Sequence, residues 1–205
     1  MKRAAIILAL AWLGGLILPI PASRAQPAPA AAGLETAIFA SGCFWCTESD
    51  FDKFDGVVET MPGYIGGNTK NPTYQQVSSG RTGHTEALRV TYNPQRISYP
   101  KLLDVYWNNV DPLDKDGQFC DRGSQYRPGI FYTSDTQRQQ AEASRTAASQ
   151  RFGKPIVVEI TKATEFTLAE EVHHDYYKKN PLRYGIYRHG CGRDQRLEAL
   201  RGKQG

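Results

Sequence analysis

Apolar and polar positions follow two rhythms along this chain, one with the period of strands and one with that of helices. Residues 36–40 form a short apolar run and predict a strand. Phe51, Phe54 and Val57 then recur at helical spacing, and predict a helix that opens at Cys43. Residues 57–64 and 86–92 alternate, so each predicts a strand. Between them, 65–72 is rich in turn-forming residues and reads as a loop, with one short helical turn within 73–79. Ser98 stands as an N-cap, with Leu102, Leu103, Tyr106 and Trp107 recurring behind it through Val110. A long loop covers 111–127. Residues 129–132 and 156–160 predict strands, and Ser134 caps a polar helix running to about residue 150. A last helical stretch lies within 165–179, stopped by Asn180-Pro181, and the tail from 184 to 202 reads as irregular but for one turn at 196–200.

Strands interleaved with crossover helices in this order predict an α+β fold. Its expected form is a two-layer α/β sandwich with a split βαβ, ferredoxin-like core, a mixed sheet and long active-site loops. The 205 residues are one domain's worth of chain.

The N-terminus lies outside that domain. Lys2 and Arg3 precede an apolar run over 4–20, and Ser23-Arg24-Ala25 supplies small residues at a cleavage position. This predicts a signal peptide at 1–25, a Pro/Ala linker at 26–33 and a single domain at 34–205, exported to a periplasmic or secreted location. An uncleaved anchor is the rival, but the apolar run is short for a bilayer span. Net charge is +4, from 25 basic and 21 acidic residues; without Lys2, Arg3 and Arg24 it is 22 against 21. No clustered basic face remains to bind nucleic acid. The expected state is a monomer.

Four cysteines carry the candidate chemistry: Cys43, Cys46, Cys120 and Cys191. In an oxidising compartment they predict two structural disulfides, with three pairings open. Yet Cys43 sits at a predicted strand-to-helix junction, where unpaired backbone N–H groups favour a thiolate. Cys46 follows one turn later, with Phe44 and Trp45 between the sulfurs. A thioredoxin-like redox pair, a four-cysteine zinc site and a nucleophilic cysteine with a resolving partner all fit this pattern. Covalent haem attachment does not, because position 47 is Thr. Glu86 at a strand start, Asp121 beside Cys120, and Tyr64 and Tyr126 at loop edges are the further polar candidates.

Gly42-Cys43-Phe44-Trp45 followed by Glu48 resembles the signature of the peptide methionine sulfoxide reductases, A type. So do Gly63-Tyr64-Ile65-Gly66-Gly67, Asn71-Pro72-Thr73-Tyr74, the run from Ser79 to Glu86, Asp111-Pro112, the run from Asp121 to Arg127, and His173 with Tyr176 to Pro181. Thr85 departs from a common Ala, and the tail carries one cysteine where several members have two.

The resemblance implies thiol-dependent reduction of free or protein-bound methionine S-sulfoxide, a repair of oxidised proteins, through a sulfenic acid and an intramolecular disulfide. It casts Cys43 as nucleophile and Glu86 as acid, with its pKa raised by desolvation. Tyr64 and Tyr126 donate to the oxygen, Asp121 holds a water or the substrate backbone, and Phe44 and Trp45 wall the methyl pocket. Cys46 is the favoured resolving thiol and Cys191 the alternative, with a structural Cys120–Cys191 bridge also open. No metal or bound cofactor is implied; a thioredoxin-like dithiol supplies the electrons. A disulfide-stapled secreted module and a general thiol-disulfide oxidoreductase are the competing readings.

Overall fold

The computed structural model describes residues 33–202. The predicted signal peptide and the linker up to residue 32 lie outside the described residues.

Four strands make the centre of the sheet: β1 (Glu35–Ala40), β2 (Val57–Ile65), β3 (Thr85–Tyr92) and, after the two-residue strands β4 (Gly117–Gln118) and β5 (Asp121–Arg122), β6 (Gly129–Tyr132). β1 pairs antiparallel with both β3 and β6, and β2 antiparallel with β3. β7 (Glu159–Lys162) joins β6 in parallel and β8 (Thr167–Leu168) joins β2, giving the order β7-β6-β1-β3-β2-β8. The inner order is that of a split βαβ sandwich, with one parallel edge, so the sheet is mixed as expected.

Helices α1 (Phe44–Phe51), α2 (Tyr74–Ser78), α3 (Tyr99–Asn108) and α4 (Asp135–Phe152) follow the sequence pattern. Ser98 and Ser134 cap α3 and α4 by accepting from the third helical N–H. The main core lies on one sheet face. Phe39, Leu88 and Val90 point from the strands onto Phe51, Leu102, Leu103, Tyr106 and Ala141. On the other face Ile38, Ile65, Ala87 and Phe131 are covered by Ala163 and Phe166.

The helical stretch expected within 165–179 is the short α5 (Tyr176–Lys179), preceded by edge strand β8 and a 3₁₀ turn at Glu171–His173. The tail differs from the sequence expectation. The tail is helical, as α6 (Pro181–Gly190) and α7 (Arg193–Arg201). Pro181 read as a stop, but it occupies the first turn of α6, where its missing N–H costs nothing. α6 buries no residue, and its Leu182 and Ile186, at helical spacing, face solvent. α7 is held by Leu197, Leu200 and the guanidinium of Arg193, which is 1 % exposed. That group donates to the Ser41 and Asn109 carbonyls and pairs with Asp50.

Candidate active site

The end of β1 leads through Gly42 to Cys43, the N-cap of α1. Gly42 has φ +86°, and a Cβ there would lie 2.6 Å from Cβ of Gln118, so only glycine fits. The buried Gln118 amide accepts from the Asp111 N–H at 2.8 Å and donates to the Asp111 and Gly117 carbonyls. It fixes the 111–122 loop against the start of α1.

Cys43 lies on a cavity of 60 Å³ lined by Cys43, Phe44, Trp45, Tyr74, Glu86, Asp121, Tyr126 and Tyr187. The structure thus joins six of the residues singled out in the sequence: Cys43, Phe44, Trp45, Glu86, Asp121 and Tyr126. Glu86, 3 % exposed on β3, accepts the Phe44 N–H at 3.0 Å. Burial pushes its carboxyl up to about 8, so it holds its proton at neutral pH. Burial likewise raises the Cys43 thiol well above its ordinary value, with Cys46, Glu86 and Asp121 adding in the same direction. This opposes the bias toward thiolate that the helix start supplies. Cys46 sits beside it as a second buried thiol, and the hydrogen bond from Cys43 lowers its pKa.

Tyr64 is not in the cavity wall. It faces Glu86 across the β2–β3 ladder, but its hydroxyl donates to Glu170 at 2.8 Å. The other oxygen of Glu170 accepts the Tyr74 N–H at 2.8 Å. Tyr64 therefore anchors the carboxylate that positions α2, and Tyr74 brings its ring and hydroxyl to the cavity. Tyr126 enters on the turn after β5, which Thr85 ties down by donating to the Gln125 and Arg127 carbonyls. The Thr that departs from the common Ala thus gains two loop contacts.

The aromatic wall is wider than the Phe44-Trp45 pair. Trp45 stacks on Tyr176 at 3.8 Å, meets Tyr187 edge-on at 5.8 Å and donates its indole N–H to His173 at 3.2 Å. Burial lowers the His173 pKa, which leaves a neutral ring able to accept. Tyr187 donates to Asp121 at 2.6 Å. The sequence reading missed Tyr74, Tyr187 and His173. Tyr74 and His173 lay inside quoted blocks, whereas Tyr187 sat in a tail without a recognisable pattern.

The remaining cysteines, Cys120 and Cys191, are joined in a disulfide; Cys43 and Cys46 are free. Cys120, Asp121 and Cys191 cluster, but both sulfurs are consumed by the bridge. Glu48, His174 and Asp175 form a second cluster of metal-type ligands, and there the Lys178 ammonium sits 2.7 Å from Asp175.

Comparison with known proteins completes the picture. The sequence model of the family "Peptide methionine sulfoxide reductase" matches residues 35–204. Peptide methionine sulfoxide reductase MsrA 2 of Caulobacter vibrioides is 52 % identical over 177 residues, covering 86 % of this chain and 90 % of its own. MsrA of Listeria innocua is 51 % identical over 168 residues, covering 81 % and 95 %. Among solved structures, reduced Mxr1 from Saccharomyces cerevisiae superposes with a TM-score of 0.71 at 32 % identity, over 74 % of this chain and 88 % of that one. Methionine sulfoxide reductase A of Corynebacterium diphtheriae gives 0.69 at 34 %, over 74 % and 77 %.

Proposed function

Because this chain belongs to the peptide methionine sulfoxide reductase family, and is an oxidoreductase that reduces methionine sulfoxide through an intramolecular disulfide, we propose the following division of roles. Cys43 attacks the sulfoxide sulfur. Its thiol proton and the proton on Glu86 are the two available where the S–O bond polarises. Glu86 protonates the oxygen as Cys43 bonds to sulfur, and the Cys43 proton replaces the one Glu86 lends. Oxygen passes to Cys43, giving its sulfenic acid and releasing methionine.

Tyr74 and Tyr126 donate to the oxygen as charge builds on it. Phe44 and Trp45 hold the methyl group. Asp121, bound by Tyr187, orients the substrate backbone. The single observation that carries this reading is the buried, protonated Glu86 in the same small cavity as Cys43. The cavity is lined by both aromatic and polar side chains, which suits one sulfoxide epimer, and the family resemblance points to the S form. A thioredoxin-like dithiol closes the cycle. The substrate is methionine sulfoxide, free or in oxidised proteins, and the N-terminal pattern at 1–25 directs the enzyme out of the cytoplasm.

The test is turnover of a stereochemically pure methyl sulfoxide peptide with a dithiol reductant. The S epimer is reduced, and Cys43→Ser abolishes the reaction. Equal turnover of both epimers, or activity in Cys43→Ser, sinks the assignment.

A further inference from the structure

Glu48 lies on α1, more than one turn past Cys43, and is not part of the cavity wall. Its side chain is fully buried, at 0 % exposure. Oε1 accepts the Asp175 N–H at 3.1 Å, while Oε2 is buried with no hydrogen-bond partner. A carboxylate oxygen shut away from water without a donor is destabilising, and a cation held against the carboxylate offsets that.

The groups around this carboxylate are metal ligands. His174 Nε2 stands 4.0 Å from Glu48 Oε1 and 3.7 Å from Asp175 Oδ2. One ligand atom from each of the three residues falls within 4.8 Å of the other two. Tetrahedral zinc holds N and O ligands at about 2.0–2.2 Å, hence about 3.3–3.6 Å apart, so the His174 spacings need to close by about 0.5 Å. His174 and Asp175, each 29 % exposed, have room for that shift. The imidazole is also backed by a carboxylate: its Nδ1 is 3.9 Å from Glu171, the arrangement that orients a histidine toward a metal. The Lys178 ammonium takes only Oδ1 of Asp175, at 2.7 Å, and leaves Oδ2 to His174. Four carboxylates, of Glu48, Asp52, Glu171 and Asp175, surround two ammoniums, of Lys178 and Lys179, an excess of two that a dication balances. On the solvent side lies a hollow of 290 Å³ lined in part by His174, Asp175 and Asp52, where water can complete a coordination shell.

We propose that Glu48, His174 and Asp175 bind a divalent cation, Zn²⁺ being the match for one imidazole nitrogen and two carboxylate oxygens, and that the cation staples α1 to the segment 171–179. Its role is structural. His173 accepts the Trp45 indole N–H at 3.2 Å, and Tyr176 stacks on the Trp45 ring at 3.8 Å. His174 and Asp175 are the two residues between them, so a cation there fixes both partners of the Trp45 wall from behind. It adds no group to the reacting atoms, and its binding does not depend on which thiol takes the sulfoxide oxygen.

The experiment uses the full chain without a histidine tag, stripped by a chelator and dialysed free of it. Zn²⁺ alone is titrated by calorimetry, thermal melts are run with and without it, and Co²⁺ replaces it for absorption spectroscopy. One Zn²⁺ binds per chain at micromolar concentration and raises the melting temperature. Co²⁺ gives visible d–d bands without the near-ultraviolet charge-transfer bands of a thiolate ligand, which separates this site from Cys43 and Cys46. Outer partners of a metal ligand are worth about 10–100-fold in affinity, so loss of a ligand in His174→Ala or Glu48→Gln weakens binding by at least about 100-fold.

Glu48→Gln keeps an oxygen for the Asp175 N–H, and His174→Ala removes a ring at the surface, so both fold, as a cooperative metal-free melt verifies. Zn²⁺ binding only at millimolar concentration, thiolate bands in the Co²⁺ spectrum, or wild-type affinity in both variants overturns the proposal. Loss of sulfoxide turnover in wild type would leave these readouts unchanged, so the cation site and the roles of Cys43 and Glu86 fail separately.

Discussion

Replacing Glu86 by Gln separates a neutral acid from a charged one. The side chain is 3 % exposed, and burial moves its carboxyl from 4.5 to about 8. The folded state thus keeps a proton that the unfolded chain loses above pH 4.5. The sign follows: the group costs the fold nothing below that pH, and stability is lost as the pH climbs through 8, levelling above it. Each pH unit between the two values is worth about 1.4 kcal/mol, which sets a ceiling of about 5 kcal/mol. Gln cannot ionise, and its carbonyl still accepts the Phe44 N–H. The advantage of Glu86→Gln over wild type should therefore grow from its acid limit by about 1 kcal/mol at pH 5, about 3 at pH 7 and about 5 at pH 9.

Urea unfolding of both proteins across pH 5–9 measures this directly. Activity moves the other way. Losing the acid lowers kcat by about 10²–10⁴-fold, and the fall of wild-type activity as Glu86 deprotonates near pH 8 should vanish in the variant. A stability gap that stays constant across the pH range refutes the argument. So does a wild-type rate that climbs steadily to pH 10, since thiol ionisation rather than the acid would then limit the reaction.

Tyr126→Phe and Tyr74→Phe should each lower kcat by about 10²-fold through the loss of an oxyanion donor, in a steady-state assay. Tyr64→Phe should leave kcat near wild type but cost about 1 kcal/mol in urea unfolding, because Glu170 loses one of its two donors. Arg193→Met strips the donors from two carbonyls and one cation from Asp50, which keeps Arg188, and should destabilise by about 2–5 kcal/mol in the same experiment. Gly42→Ala forces a Cβ onto Gln118 at positive φ; a loss of about 2–3 kcal/mol together with reduced activity is expected. A melting temperature and rate equal to wild type would remove Gly42 from the account.

What the chain declares about itself is uneven, for physical reasons. The central strands and α3 announced themselves because one face of each is apolar, as with Leu102, Leu103 and Tyr106 against Phe39. The strand predicted at 156–160 begins only at Glu159, since the β-branched run before it leads into the sheet edge without pairing. The tail was read as irregular because α6 is attached by hydroxyls and guanidiniums, which look alike on a surface and in a contact, while its apolar pair Leu182 and Ile186 faces solvent. Hence Tyr187 stayed hidden although it borders the cavity. Tyr64 was misleading for another reason: it stands directly opposite Glu86 in the ladder, and only the position of Glu170 turns its hydroxyl away. Composition marks a tyrosine as a donor but says nothing about which acceptor reaches it first.

The protonation of the site follows from the overall chemistry. Reducing a sulfoxide with two thiols forms one water, and both of its hydrogens come from the thiols themselves. In the first step the proton of Cys43 ends on the sulfenic oxygen; in the second, the proton of the resolving thiol leaves with that oxygen. Glu86 lends a proton and recovers one, so nothing need be drawn from solvent. A cavity of 60 Å³ that holds the buried Glu86 carboxyl beside the buried Cys43 thiol suits such a cycle. Dryness would disable a site that had to hold a standing thiolate, since burial disfavours the charge. Here it raises Cys43 and Glu86 together, so on the proposed roles the proton that the polarised oxygen needs is held where the thiol attacks.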